Sequence, residues 1–425
     1  MASEREVSRG APRGALRSGT WKWACLATWA VILALVAFEL WPRFRGAWGK
    51  TPWGSQHPWR GDTEAFLSSA LEVASKDLMH PAPRLKLDPR RMDRPRTLLW
   101  LRDRLGGGLE TRNSWPNAIL ARAIAECGAT ADATLGNYWD QVVGPDGSLL
   151  EPPVLLSHCM LGMPLLDCYQ QTSQARFRTA AEHLLKWLMK SHVRSATGTL
   201  PYRPEEPGVL LVDTLGMVCP FLARAGREFD MPEATRLARQ QLLEFLDRGM
   251  DERSGLPFHA YQVDSPSGNA APFGLAGWGR GAGWLALGLA ETLHWLPATE
   301  PDRPRLEEAL RRLAATLRGC QRADGLWGWA VNIPGAQPDT SATGMIAWAL
   351  RIGMEHRVLD DGFQETREKA IAGILRCSKE SGEVGQSMAD VAGIGQYPWL
   401  FAHTTWTQGF AILAVGGGSG SAGDR

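Results

Sequence analysis

Residues 278–296 read WGRGAGWLALGLAETLHWL, and the fold turns on them. From Trp284 onward, Leu285, Leu289, Leu293 and Leu296 recur at roughly helical spacing in an apolar run, which marks a helix of the core. The lead-in is different. Gly279, Gly281 and Gly283 alternate with Trp278, Arg280, Ala282 and Trp284, and glycine weakens a helix while suiting turns and close backbone approach. Arg280 and the two indoles then stand at a helix N-terminus, where free N–H groups and the helix dipole favour an anion. Residue types alone leave two readings open: a binding site, or a tryptophan pair that caps the core with an arginine bridging two segments.

Outward from this helix, the chain is a procession of amphipathic segments separated by turns. The periodicity predicts helices near 63–78, 94–105, 116–128, 131–143, 155–172, 174–192, 209–227, 231–250, 283–296, 303–321, 340–356, 363–379 and 403–415. Strand-like alternation is scarce. Connections such as GPDGS, SATGTLPYRPEEPG and QRADGLWGW carry glycine, proline and aspartate. About a dozen helices in paired alternation give an all-α toroid or solenoid of helical hairpins, spanning residues 62–415 and followed by a flexible tail, 416–425. Lys plus Arg number 46 and Asp plus Glu 45, so no charge excess points to nucleic acid. Cysteines lack C-x-x-C spacing, which indicates neither a zinc site nor a dense disulfide framework.

Seven of the nineteen tryptophans fall in the first sixty residues. There the stretch WKWACLATWAVILALVAFELW, residues 21–41, is free of charge from Trp23 to Phe38 and just long enough for a bilayer span. Tryptophans at both ends suit the two interfaces, and the basic arm 1–21 (Arg5, Arg9, Arg13, Arg17) favours a cytoplasmic N-terminus. The expectation is a signal anchor over 22–41, a linker over 42–61 and a main domain that is lumenal or extracellular. A cleaved signal peptide is the rival, opposed by the long basic region and the lack of a clear small-x-small site.

Five segments resemble a known family in order and spacing. LLVDTLGMVCPFLARAG (210–226), SGLPFHAYQ (254–262), the stretch quoted first, QRADGLWGW (321–329) and DTSATGMIAWAL (339–350) are similar to the unsaturated glucuronyl and rhamnogalacturonyl hydrolases of glycoside hydrolase families 88 and 105. The resemblance implies an (α/α)6 barrel and hydration of the C4–C5 double bond of a terminal unsaturated uronic acid, without metal or organic cofactor. One carboxyl, kept partly in its acid form by an apolar pocket, serves as acid and base there. Asp213 matches that aspartate, although an aspartate at a helix entry also suits an N-cap. His259 and Tyr261 match a substrate loop. Trp278, Arg280 and Trp284 match a wall that packs on the sugar and holds its carboxylate, for which arginine's planar fork is suited. Asp339, Ser341 and Thr343 match a polar helix start facing the cavity, or equally a capping segment.

The sequence also departs from the family pattern. In LLSHCMLGMPLLDCYQQT (155–172), His158 keeps a histidine assigned to substrate binding, but Ser157 stands where a second aspartate is expected, and serine supplies no charge. The expected function is therefore a membrane-anchored glycoside hydrolase whose partner is a uronic-acid-containing oligosaccharide. The alternatives are an inactive carbohydrate-binding protein on the same barrel and, less in keeping with the ordered motifs, an epimerase or cyclase on a helical toroid.

Overall fold

The computed structural model describes residues 23, 25–37, 58–79, 112–127, 133–190, 192–263, 269–391, 393–398 and 401–416. Residues 25–37 are helical and exposed, and belong to a different compact unit from the rest. Among the described residues no helix is long and apolar enough to cross a membrane; residues 22, 24 and 38–41 of the expected span lie outside them, as do the expected helix 94–105, most of the linker and the tail beyond Gly416. The linker's last residues already belong to the barrel. Trp59 N–H donates to Ser378 O (2.9 Å), and the Trp59 ring packs edge-on to Phe66.

The main unit contains twelve α-helices among its described residues: α1 (Thr63–Met79), α2 (Trp115–Cys127), α3 (Ala133–Trp139), α4 (Gly162–Thr172), α5 (Ala175–Lys190), α6 (Asp213–Glu228), α7 (Pro232–Arg248), α8 (Gly279–Trp295), α9 (Arg303–Gly319), α10 (Thr340–Glu355), α11 (Gln364–Arg376) and α12 (Thr405–Val415). Burial sorts most of them into two kinds. In α8 every residue from Gly279 to Leu293 is buried, and in α10 every residue from Thr340 to Gly353. By contrast α5 buries only the stripe Phe177, Ala180, Ala181, Leu184, Leu185 and Leu188, and α9 only Leu306, Leu310, Leu313, Ala314 and Leu317. A helix apolar all round belongs inside and a striped one outside. Packing follows that division: α2, α4, α6, α8, α10 and α12 each contact the next and α12 returns to α2, while α3, α5, α7, α9 and α11 each back the inner helix before them and α1 packs on α12 and α2. The result is the expected six-hairpin toroid.

Glycine lets the inner helices approach. A Cβ on Gly288 of α8 would lie 2.8 Å from the Leu215 carbonyl, and one on Gly216 of α6 would lie 2.8 Å from Trp284 O, so each glycine admits the other helix's backbone. The same reason corrects the expected start of α8. It begins at Gly279 rather than at Gly283, because Cβ atoms at 279 and 283 would meet Gly328 O (2.6 Å) and Met345 Cβ (2.8 Å). Packing outweighs the low intrinsic propensity of glycine for helix.

The inner helices run parallel to one another. Their C-terminal ends meet in a charged network: Arg122 of α2 donates to both oxygens of Glu291 of α8 (2.9 and 2.8 Å), Arg224 of α6 pairs with Asp167 of α4, and Arg351 of α10 pairs with Glu126 of α2. Their N-terminal ends gather aromatic and polar groups at the other mouth. Two small sheets line that mouth: β1 (Val209–Leu211), β2 (Ala260–Val263) and β3 (Ala270–Phe273) pair antiparallel in that order, and β4 (Ser387–Met388) pairs with β5 (Phe401–Ala402).

Candidate active site

The three-stranded sheet builds the site. Its register sets Leu211 opposite Ala260, and the Val212 N–H donates to His259 O (2.9 Å), so the residue that opens α6, Asp213, arrives beside the residue that precedes β2, His259. His259 Nε2 lies 3.5 Å from Asp213 Oδ2. On the other edge, β2 pairs Ala260 with Phe273, and the turn after β3 passes close under the histidine: Gly274 has φ +83° and a Cβ there would meet His259 Cβ at 2.8 Å. Only glycine suits that combination.

Asp213 is not a cap. The α6 N-cap is Val212 and no side chain caps it, while Asp213 Oδ2 is buried and accepts no hydrogen bond. A carboxylate oxygen withdrawn from water without a donor is costly unless substrate or chemistry uses it. His259 is held on both faces of this arrangement. Its ring tilts against Trp278 (centroids 4.3 Å apart), and its Nδ1 meets the hydroxyl of Tyr397 at 3.0 Å. Trp329 lies 5.6 Å from the Tyr397 ring. Asp213, Trp329 and Tyr397 are among the half-buried groups of this mouth, and the partial positive ends of the inner helices point into it, which favours an anionic ligand.

The family model of glycosyl hydrolase family 88 matches residues 103–415. The chain belongs to this family. It is 25% identical over 317 residues, covering 70% of this chain and 87% of the relative, to the unsaturated rhamnogalacturonyl hydrolase YesR of Bacillus subtilis strain 168. Its fold is similar to a possible member of the GH105 family from Klebsiella pneumoniae (TM-score 0.68, 21% identity, covering 85% of this chain and 94% of that one). A second solved structure, the unsaturated glucuronyl hydrolase of Bacillus sp. GL1 that degrades glycosaminoglycan, matches with TM-score 0.61 at 16% identity over 83% of this chain and 96% of that one.

Within this family 88 barrel several expected site residues take other roles. Arg280 is 2% exposed, and its fork is occupied: Nη1 donates to Met388 O (2.7 Å) and Nη2 to Ala389 O (3.0 Å), with Asp339 Oδ2 3.8 Å away as counter-charge. It clamps the β4 segment to α8 instead of presenting a free fork to a substrate carboxylate. Trp278 is equally buried, with His259 and the Arg280 guanidinium (5.2 Å) over it. Trp284 sits deeper, edge-on to Trp115 and Phe410 (both 5.7 Å), as core. These two indoles support the wall without forming its open surface.

Tyr261 likewise packs on Phe245 of α7 (5.5 Å), away from the substrate loop expected for it; burial raises its phenol pKa. Asp339 caps α10, its Oδ1 accepting from Ser341 N (3.0 Å), Ser341 Oγ (2.6 Å) and Met388 N (3.2 Å), while Thr343 Oγ1 donates to Asp339 O and accepts from Trp327 N. The capping reading holds for this trio, which faces the protein rather than a cavity. Ser157 and His158 lie buried in a 3-10 turn, Leu156–Leu161, packed against α6, where His158 Nδ1 accepts from Val154 N (3.4 Å).

Neither Tyr397 nor the three-stranded sheet carries a local signal in the sequence. Strands of three or four residues are too short to show period-two alternation, and a tyrosine between Gly395 and Pro398 reads as loop.

Proposed function

We propose that this chain is a membrane-anchored hydrolase that hydrates a terminal unsaturated glycuronyl residue, with Asp213 as acid and base. The observation that carries the reading is the Asp213 carboxylate, which opens an inner helix without capping it and keeps a buried oxygen unpaired beside His259. The C4–C5 double bond of such a sugar is an enol ether, because C5 bears the ring oxygen. A proton from the Asp213 carboxyl adds to C4, the charge left at C5 is shared with the ring oxygen, and water adds to C5 while the Asp213 carboxylate takes its proton. The hemiketal opens to a ketone at C5, and the hemiacetal freed at C1 releases the aglycone as an alcohol. One water is consumed and the carboxyl is regenerated.

Two features supply the rest of the reading. Inner-helix N-termini favour the uronate's negative charge, and the half-buried rings of Trp329 and Tyr397 offer faces to its C–H groups. The apolar run 22–41 with its basic flank supports an anchor with the N-terminus cytoplasmic and the barrel lumenal or extracellular. In sealed microsomes the barrel should resist added protease until detergent is present; cleavage without detergent rejects that topology.

Ser157 favours a second reading, a sugar-binding barrel without turnover. Loss of conjugated absorbance from an unsaturated disaccharide separates the two. Asp213→Asn should lower turnover by roughly 10²- to 10⁴-fold with little change in binding. If the parent chain is inactive, Ser157→Asp is the informative change, and activity created by it would place the lost second carboxylate. A folded chain that turns over nothing in either form leaves only the sugar-binding barrel.

A further inference from the structure

We infer that Tyr397 is a positioning residue that locks His259 in the tautomer with its proton on Nε2, directed at Asp213. The inference rests on the proposed role of Asp213 for its catalytic consequence, but not for the tautomer itself. A tyrosine hydroxyl has one proton to give and lone pairs to accept with. In Tyr397 the oxygen accepts from the Leu275 N–H at 3.0 Å. With one backbone N–H donating to its oxygen, the hydroxyl's proton is directed to its other partner, His259 Nδ1 at 3.0 Å.

Nδ1 is then an acceptor and the neutral ring carries its proton on Nε2, the nitrogen that faces the unpaired Asp213 Oδ2. The phenol keeps its proton over the working range, since burial first and the nearby Asp213 charge after it push its pKa up to about 12. The ring plane is fixed separately, by Trp278 at 4.3 Å on one side. A histidine so held presents a donor to the carboxylate of Asp213 and cannot accept a proton from it through Nε2. The carboxyl proton is thus left available for substrate.

The late loop that carries Tyr397 is itself held in place. Arg280 grips Met388 O and Ala389 O, and β4 pairs with β5 on the far side of Tyr397. This gives the buried arginine a purpose in the site without contact to substrate.

Histidine ring nitrogens in the full-length chain, labelled with ¹⁵N-histidine, report the tautomer directly, with His259→Gln identifying the resonance. The parent should show a protonated Nε2 and an unprotonated, hydrogen-bonded Nδ1 at position 259. Tyr397→Phe should convert this to a mixture or to the Nδ1–H form. With an unsaturated disaccharide, Tyr397→Phe should lower kcat by about 10- to 100-fold, the scale for losing an outer partner that orients a histidine, with KM little changed and the pH profile displaced. An Nδ1–H form in the parent, or an unchanged tautomer in the folded variant, overturns the inference.

Should Tyr397→Phe not fold, 3-fluorotyrosine at 397 keeps the shape and strengthens the O–H donor, so the His259 Nδ1 resonance must move; a fixed resonance overturns the inference equally. Because the resonances need no turnover, an inactive chain with the expected tautomer removes the hydrolase reading and leaves this one standing.

Discussion

Replacing Arg280 by methionine distinguishes a buried clamp from a substrate fork. Methionine approximates the length of the stem and removes the guanidinium, so Met388 O and Ala389 O each lose a charged donor, at 2.7 and 3.0 Å. Hydrogen bonds to charged groups contribute about 1.5–3 kcal/mol each, but the larger effect is on Asp339. That carboxylate is fully buried, and its only basic partner among the described residues, Arg280 at 3.8 Å, is gone. Removing one member of a buried pair costs about 3–5 kcal/mol. The donors from Ser341 and Met388 still solvate Asp339 Oδ1, which places the expected loss at about 3–5 kcal/mol and not at the sum of all terms.

Urea unfolding followed by tryptophan fluorescence measures that loss. The double variant Arg280→Met, Asp339→Asn should recover part of it, with a coupling of about 0.5–3 kcal/mol. The reasoning is refuted if Arg280→Met changes stability by no more than about 0.5 kcal/mol, as at an indifferent surface position, while abolishing uronate binding. In that case the arginine would be the carboxylate fork that residue types alone suggest.

Gly288→Ala should lose about 1–3 kcal/mol, the usual cost of overpacking, because its Cβ would stand 2.8 Å from the Leu215 carbonyl. Since α6 carries Asp213 and α8 follows Trp278, turnover should fall with it; an unchanged melting temperature would disprove the close approach. The histidines away from the site give opposite pH responses. For His403, burial works against the charged form, but the bond from Nε2 to Asp77 Oδ2 (2.8 Å) prevails and raises its pKa, so its contribution is full below the unfolded value, near 6.5, and is lost as pH rises through the folded one. Partial desolvation and the stacked His356 (3.9 Å) lower His294 to about 4; its contribution is present above pH 6.5 and lost on acidification toward 4. Urea midpoints against pH for the parent, His403→Gln and His294→Gln check both signs: the first variant should flatten the alkaline fall and the second the acid fall.

Contiguous chain encodes period and composition, and these parts of the molecule were legible. The run from Trp284 to Ala290 is apolar on every side, so it had to be surrounded, while α9 with its Leu306, Leu310, Leu313 and Leu317 had to face inward on one side only. About a dozen helical segments in paired alternation point to hairpins in a toroid or solenoid. Asp213 in VLLVDTLGMV stands out only through the ordered motifs around it, since by residue type alone an aspartate at a helix entry suits an N-cap. What the residues could not declare was how each one's polar atoms would be used. Arg280 finds its carbonyls 108 and 109 residues away, and His259 its tyrosine 138 residues away. The sheet that sets Asp213 beside His259 consists of strands too short to have a period of their own. A guanidinium, a cap serine and a buried tryptophan have the same local sequence signature whether they meet substrate or backbone. The choice is made by desolvation: once the toroid closes, a buried donor such as the Arg280 guanidinium takes acceptors within about 3 Å, and only the tertiary arrangement decides which acceptors those are.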